Sequence, residues 1–156
     1  NQISGSSIID FDNPGTFTAL NMDRKIFMDR KPGNPVAAAG TPEFSKTKDA
    51  KTILGVNCKE LVITNKTENT NIKYFIGGSK FNFFVRFLKF MNRKEKSAVY
   101  YLLLKDAGDG FPYLSIQTDT ATGKETERLE VLRMEKKQLE PSLFTPPADY
   151  KKFEMN

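Results

Sequence analysis

Residues 81–93 read FNFFVRFLKFMNR. Set at about 100° per residue, Phe81, Phe83, Phe84, Val85, Phe87, Leu88, Phe90 and Met91 spread over a wide arc. Asn82, Arg86, Lys89 and Arg93 gather in a narrow polar stripe opposite. The pattern is helical, with an apolar face broader than one sheet contact normally requires. Each apolar side chain gains roughly 1.5–3 kcal/mol on burial, so the set gains on the order of 12–24 kcal/mol gross. Such a face is sheltered. It packs on a sheet, covers an apolar cavity, or meets a membrane or a partner.

The flanks of this stretch set its limits. Gly77-Gly78 closes a strand, and Ser79 is the expected helix N-cap. The helix is expected to fade between Asn92 and Lys96, and a second one to run from Ser97 to Ala107, with Gly108 as its C′ glycine. Upstream, Ile72, Tyr74 and Ile76 share one face of a strand over 71–76, and Val56–Thr64 is its expected partner across the polar turn 65–70. Phe44–Thr52 is weakly alternating and reads as an edge strand. Three short runs, 7–12, 16–22 and 25–29, are separated by Asn13-Pro14-Gly15 and Asp23-Arg24, which predicts an antiparallel meander. The proline-rich segment 31–42 reads as a loop or, equally, a mobile flap. Downstream, strands over 112–118 and 126–136 flank a hairpin tip at Thr122-Gly123. A parity change at Leu132 and Met134 suggests a bulge there. Leu143 and Phe144 are expected to anchor the proline-containing tail 140–150.

The chain of 156 residues is expected to form a single domain, 1–156. Its 38% apolar content and 13 phenylalanines exclude global disorder. The formal charge is +5, and the segment from Lys80 to Lys105 alone carries seven basic residues against Glu95. The basic character therefore belongs to the aromatic helix and the segment after it. A solvated face on a core helix is the plainer reading, and contact with anionic lipid the alternative. Nucleic-acid binding is not expected, because the phenylalanines share a helix face instead of an exposed strand platform.

The usual catalytic and metal-ligating groups are scarce. There is no histidine, which removes the commonest general base and zinc ligand. Cys58 is the single cysteine, reads as a small core residue, and leaves no intrachain disulfide. Ser45–Lys48 spells S-x-x-K without the partner motifs of serine acylases. Gly77-Gly78-Ser79-Lys80 lacks the spacing of a phosphate loop, and Asp10, Asp12 and Asn13 fall short of a calcium loop. Asp106 and Asp109, beside Gly108 and Gly110, form at most a weak cation turn. No enzyme activity, cofactor or metal is expected. No apolar run approaches the roughly 20 residues that span a bilayer.

Two patches resemble a known layout. They are Lys51-Thr52-Ile53-Leu54-Gly55-Val56-Asn57-Cys58-Lys59 and Leu143-Phe144-Thr145-Pro146-Pro147-Ala148-Asp149-Tyr150-Lys151. With strand pairs on either side of a helical insert, the chain resembles a family of uncharacterised Gram-negative envelope proteins. It is similar in layout to the periplasmic lipoprotein-carrier (LolA-like) superfamily. The resemblance implies a half-open barrel whose concave side is closed by helices, a cavity for acyl chains, and the helix around Phe84 to Met91 as its lid. It also implies strands and a helix before Asn1, so a processed form or fragment is expected, with an open sheet edge that pairs two copies. No arginine here matches the gating arginine of true lipoprotein carriers.

The expected architecture is α+β: a curved antiparallel sheet with one or two helices packed across its concave face. The expected role is a non-enzymatic protein, periplasmic or secreted, that binds a lipid or lipoprotein acyl chain. Phe83, Phe84, Phe87, Phe90 and Met91 would line the pocket, and Arg86, Lys89 and Arg93 would face solvent or anionic headgroups at a membrane surface. The competing expectation is a structural or protein-interaction module with a filled core and no ligand.

Overall fold

The computed structural model describes residues 3–154. In chain order the first elements are β1 (Gly5–Ile8), β2 (Phe17–Asn21), β3 (Ile26–Arg30), β4 (Glu43–Ile53), β5 (Val56–Asn65) and β6 (Thr70–Gly77). Two helices come next, α1 (Asn82–Met91) and α2 (Lys96–Tyr101), then β7 (Phe111–Asp119), β8 (Glu125–Glu130), a 3-10 turn (Pro141–Phe144) and β9 (Lys151–Lys152). By contact the described residues make two compact units, 3–33 with 136–154, and 34–135.

The smaller unit is the predicted meander. β1, β2 and β3 pair antiparallel in sequence order, and β9 adds parallel to β3. The β1–β2 connection is a side-chain-stabilised turn: Asp10 Oδ1 accepts the Asp12 amide at 2.9 Å and the Asp10 carbonyl accepts the Asn13 amide at 3.2 Å. The tail departs from expectation. Leu143 is 61% and Phe144 57% exposed, so neither anchors it. A single turn opened by Pro141 presents no continuous apolar face, and backbone pairing holds the segment beyond it. The Lys151 amide donates to the Lys25 carbonyl at 3.0 Å and the Phe153 amide to Phe27 at 2.8 Å. Lys25–Asp149 (2.8 Å) and Lys152–Asp29 (3.0 Å) flank these bonds.

The larger unit is a five-stranded antiparallel sheet in the order β4-β5-β6-β7-β8, with both helices in the β6–β7 connection. Strand alternation sorts the side chains onto two faces. Leu61, Ile63, Ile72, Tyr74 and Ile76 meet Leu88, Val99, Tyr100 and Tyr101 of the helices on one side. Cys58, Phe75, Tyr113 and Leu114 form a second cluster with Ile53, Val56 and Val131. Irregularities at Lys46/Ala50, Phe75/Ile76 and Gln117/Thr118 each bend the ladder. β4 and β8 stay unpaired with each other, so there is no closed barrel among the described residues, and a curved, half-open sheet is consistent with the pairing. The α+β antiparallel class is as read from the sequence.

Three boundaries move. β8 ends at Glu130, without the expected continuation and bulge; Leu132 is 83% exposed. Its last bond to β7 runs from the Val131 amide to the Tyr113 carbonyl at 2.9 Å. The N-cap of α1 is Phe81, with no capping side chain, instead of Ser79. Asp109 substitutes for the cap from the far side of α2: its Oδ2 accepts the Lys80 amide at 2.8 Å and its carbonyl accepts the Phe81 amide at 2.9 Å. α2 stops at Tyr101, not Ala107. The Leu103 and Leu104 amides turn to the carbonyls of Tyr100 (3.0 Å) and Tyr101 (3.1 Å), tightening the chain into the turn that delivers Asp109.

The loop before β4 is pinned to the sheet by polar contacts. Asn65 Nδ2 donates to the Ala39 carbonyl at 2.6 Å, and the Ala39 amide donates to Glu68 Oε1 at 3.1 Å. The Tyr100 hydroxyl donates to Glu68, and Lys96 Nζ donates to Thr70 Oγ1 at 2.8 Å. Gly40, at φ +67°, completes the approach: a Cβ there would lie 2.3 Å from Thr67 Oγ1.

Candidate functional site

Of the residues of α1, Leu88 is the one that is buried. Phe84 and Phe87 are half-buried, and between them and the sheet lies a cleft of about 410 Å³. That volume falls within the roughly 300–1,000 Å³ of small-molecule sites. Its helical wall is Phe84, Phe87, Leu88, Ala98 and Tyr101. Its sheet wall comes from Tyr74, Ser115, Leu129 and Val131, which β6, β7, β8 and the segment after it place side by side. Phe111 closes one end. Its ring lies 4.6 Å from Phe84, 5.3 Å from Phe81 and 6.1 Å from Tyr113, centroid to centroid. Tyr101 meets Phe84 at 5.1 Å and Tyr74 at 5.5 Å, both edge-on.

The polar groups of the cleft are few. The Tyr74 hydroxyl donates to the Ser97 carbonyl at 2.7 Å, and the Tyr101 hydroxyl to the Gly110 carbonyl at 3.2 Å. Burial pushes the Tyr101 phenol up to about 12. Burial, with the Glu127 carboxylate adding, drives Tyr74 well above its ordinary value. Both hydroxyls therefore stay protonated as donors. Arg93 and Glu95 stand at the rim and engage each other, Arg93 Nε to Glu95 Oε2 at 3.0 Å. That hydrogen bond holds Glu95 below the usual carboxyl range and lifts Arg93. Glu127 is different: its Oε2 is buried and has no hydrogen-bond partner among the described residues.

The five side chains expected to line a pocket do not all reach this one. Phe84 and Phe87 line it. Phe83 is 51% exposed, and Phe90 and Met91 are half-buried on the flank of α1 outside its lining. A helix ten residues long cannot turn an arc that wide toward one surface. Arg86, Lys89 and Arg93 all lie on the exposed side. Tyr74, Tyr101, Phe111, Glu127 and Leu129 come from four separate segments, and local periodicity gives no hint that they meet. Tyr74 was marked by strand alternation with Ile72 and Ile76, and Leu129 by being an apolar residue in an otherwise charged run.

The other candidates resolve as structure. Cys58 is fully buried, its Sγ 3.5 Å from the Val56 carbonyl, and burial raises its thiol. Asp106 pairs with Lys46 at 3.0 Å and Asp109 holds the start of α1. No cluster of three or more His, Cys, Asp or Glu residues suited to a metal occurs among the described residues. No helix among them is long and apolar enough to cross a membrane.

No curated protein and no solved structure matches the chain. A family model does, over residues 1–150. On that match the chain belongs to the family described as Domain of unknown function (DUF4412).

Proposed function

We propose that this protein is a non-enzymatic binder of an apolar ligand, a lipid or a lipoprotein acyl chain, held between the five-stranded sheet and α1. The cleft carries this reading: about 410 Å³ of space walled by Phe84, Phe87, Leu88, Tyr101, Leu129 and Val131. A sheet face packed only for stability would bring α1 down until such space closed, because unfilled apolar volume costs stability. The half-exposed Leu129 at the open edge of the sheet supports the same reading, since it offers apolar surface to an occupant entering from that side. A likeness of layout to periplasmic lipoprotein carriers, and with it an envelope location, belongs to this proposal. So does peripheral contact with anionic headgroups through Arg86 and Lys89 on the exposed side of α1 and Arg93 just beyond its end.

The test is organic extraction of the purified protein followed by mass spectrometry. Stoichiometric acyl species support the reading. A protein that carries none, and takes up none when incubated with mixed lipid vesicles, is the filled interaction module instead.

A further inference from the structure

The hydrogen bonds of the tyrosines and of Arg93 in the cleft lining go to acceptors other than Glu127. The Tyr74 and Tyr101 hydroxyls serve the Ser97 and Gly110 carbonyls. The side-chain amide of Gln117, opposite Glu127 on β7, donates to Thr126 Oγ1 at 3.0 Å. Arg93 is turned to Glu95. Glu127 is a partly buried residue of the cleft lining, and its Oε2, closed off from solvent, has an acceptor left over. A buried acceptor without a donor is costly, and a native site that keeps one tends to be completed by something else. The remaining ionisable groups in the lining point the same way: Glu95, Glu127 and Glu130 stand against Arg93 alone. The segment is basic on its outer side, yet the cleft itself is acidic.

We infer that the cleft selects an amphiphile whose apolar chain ends in a protonated amine, with Glu127 as the residue that receives the N–H. The chain lies along Phe84, Phe87 and Leu129, and the head reaches the Glu127 carboxylate on the sheet wall that also holds Tyr74. A fatty-acid carboxylate at the same place meets like charge. This deepens the apolar-ligand reading and rests on it.

The experiment titrates the whole protein with dodecylamine, dodecanol and dodecanoate, each below its micelle concentration, by calorimetry. The amine should bind about tenfold tighter than the carboxylate, the difference expected of one charge-assisted hydrogen bond. Glu127→Gln should remove most of that preference, with an unchanged far-UV circular dichroism spectrum as the control that the protein is folded. If all three chains bind alike, or dodecanoate binds best, the apolar-ligand reading survives and the amine selectivity is wrong. An amine preference unchanged in Glu127→Gln refutes the assignment to Glu127. If none of the chains binds, both readings fall together.

Discussion

Phe84 of α1 and Phe111 at the start of β7 meet with ring centroids 4.6 Å apart and planes tilted by 58°. The contact ties the helix to the strand that comes after it and closes one end of the cleft, so the aromatic stretch is positioned by a residue far downstream. Aromatic pairs of this geometry add about 0.5–1.5 kcal/mol beyond the area they bury. Phe84→Ala, which also removes the contact with Tyr101, should cost about 3 kcal/mol. Phe83→Ala should cost less than about 1 kcal/mol, because its ring is half in water. Urea unfolding of the two variants checks the contrast, and equal losses would mean that α1 is seated differently.

Gly40 offers a steric test of the loop before β4. Gly40→Ala should destabilise by about 1–2 kcal/mol, combining a left-handed backbone with the collision on Thr67. The double variant Gly40→Ala/Thr67→Ala should recover part of that loss. Gly55→Ala, at φ +77° with nothing within 4 Å, isolates the backbone cost alone. A double variant no better than the single would remove Thr67 from the explanation.

The Glu68 carboxyl is held below its ordinary value of 4.5, first by the hydrogen bond from Tyr100, then by the Ala39 amide and the Lys96 charge. A carboxyl depressed by folding contributes stability above its unfolded value and loses it as pH falls through the folded one. Melting temperature should therefore drop below about pH 4.5 in the wild type. In Tyr100→Phe the drop should be shallower, with stability already lower at neutral pH. The tyrosines act at the other end. Tyr100 and Tyr101 are each pushed up to about 12, chiefly by burial, so their contribution is present below the ordinary value of 10.0 and is lost as pH rises toward 12. Melting curves at a series of pH values with both proteins read both limbs.

Leu143→Ser and Phe144→Ser should each change the stability of the protein by less than about 0.5 kcal/mol, since both side chains already face water. The amides of Lys151 and Phe153, which hold the tail to β3, should be protected from hydrogen exchange in wild type and in both variants. Loss of that protection in either variant would restore the anchoring role that the sequence suggested.

Much of the fold was legible because it rests on local rules. Ile72, Tyr74 and Ile76 alternate as a half-buried strand must, and Asn13-Pro14-Gly15 can hardly be anything but a turn. The errors cluster where a distant residue decides. Ser79 looks like a cap, but Asp109 reaches the amides of Lys80 and Phe81 first. The run after Glu130 looks like strand, but its last bond to β7 is the one from the Val131 amide to the Tyr113 carbonyl. The cleft was the least legible part. Periodicity marks the broad apolar face of α1 without saying which residues of that arc turn to the sheet, and it is silent about Phe111 and Glu127. Those are brought in by the crossing of the helix and the register of β7 with β8.

The central claim is that an apolar chain occupies the space under α1. Photolabelling with a diazirine-bearing alkyl chain, followed by peptide mapping, tests it most directly. The label should fall on Phe84, Phe87, Tyr101 and Leu129, and Ala98→Trp, which fills the cleft, should abolish it. Label scattered over exposed apolar residues such as Leu132, Leu143 and Phe153, and undiminished by Ala98→Trp, would contradict the account.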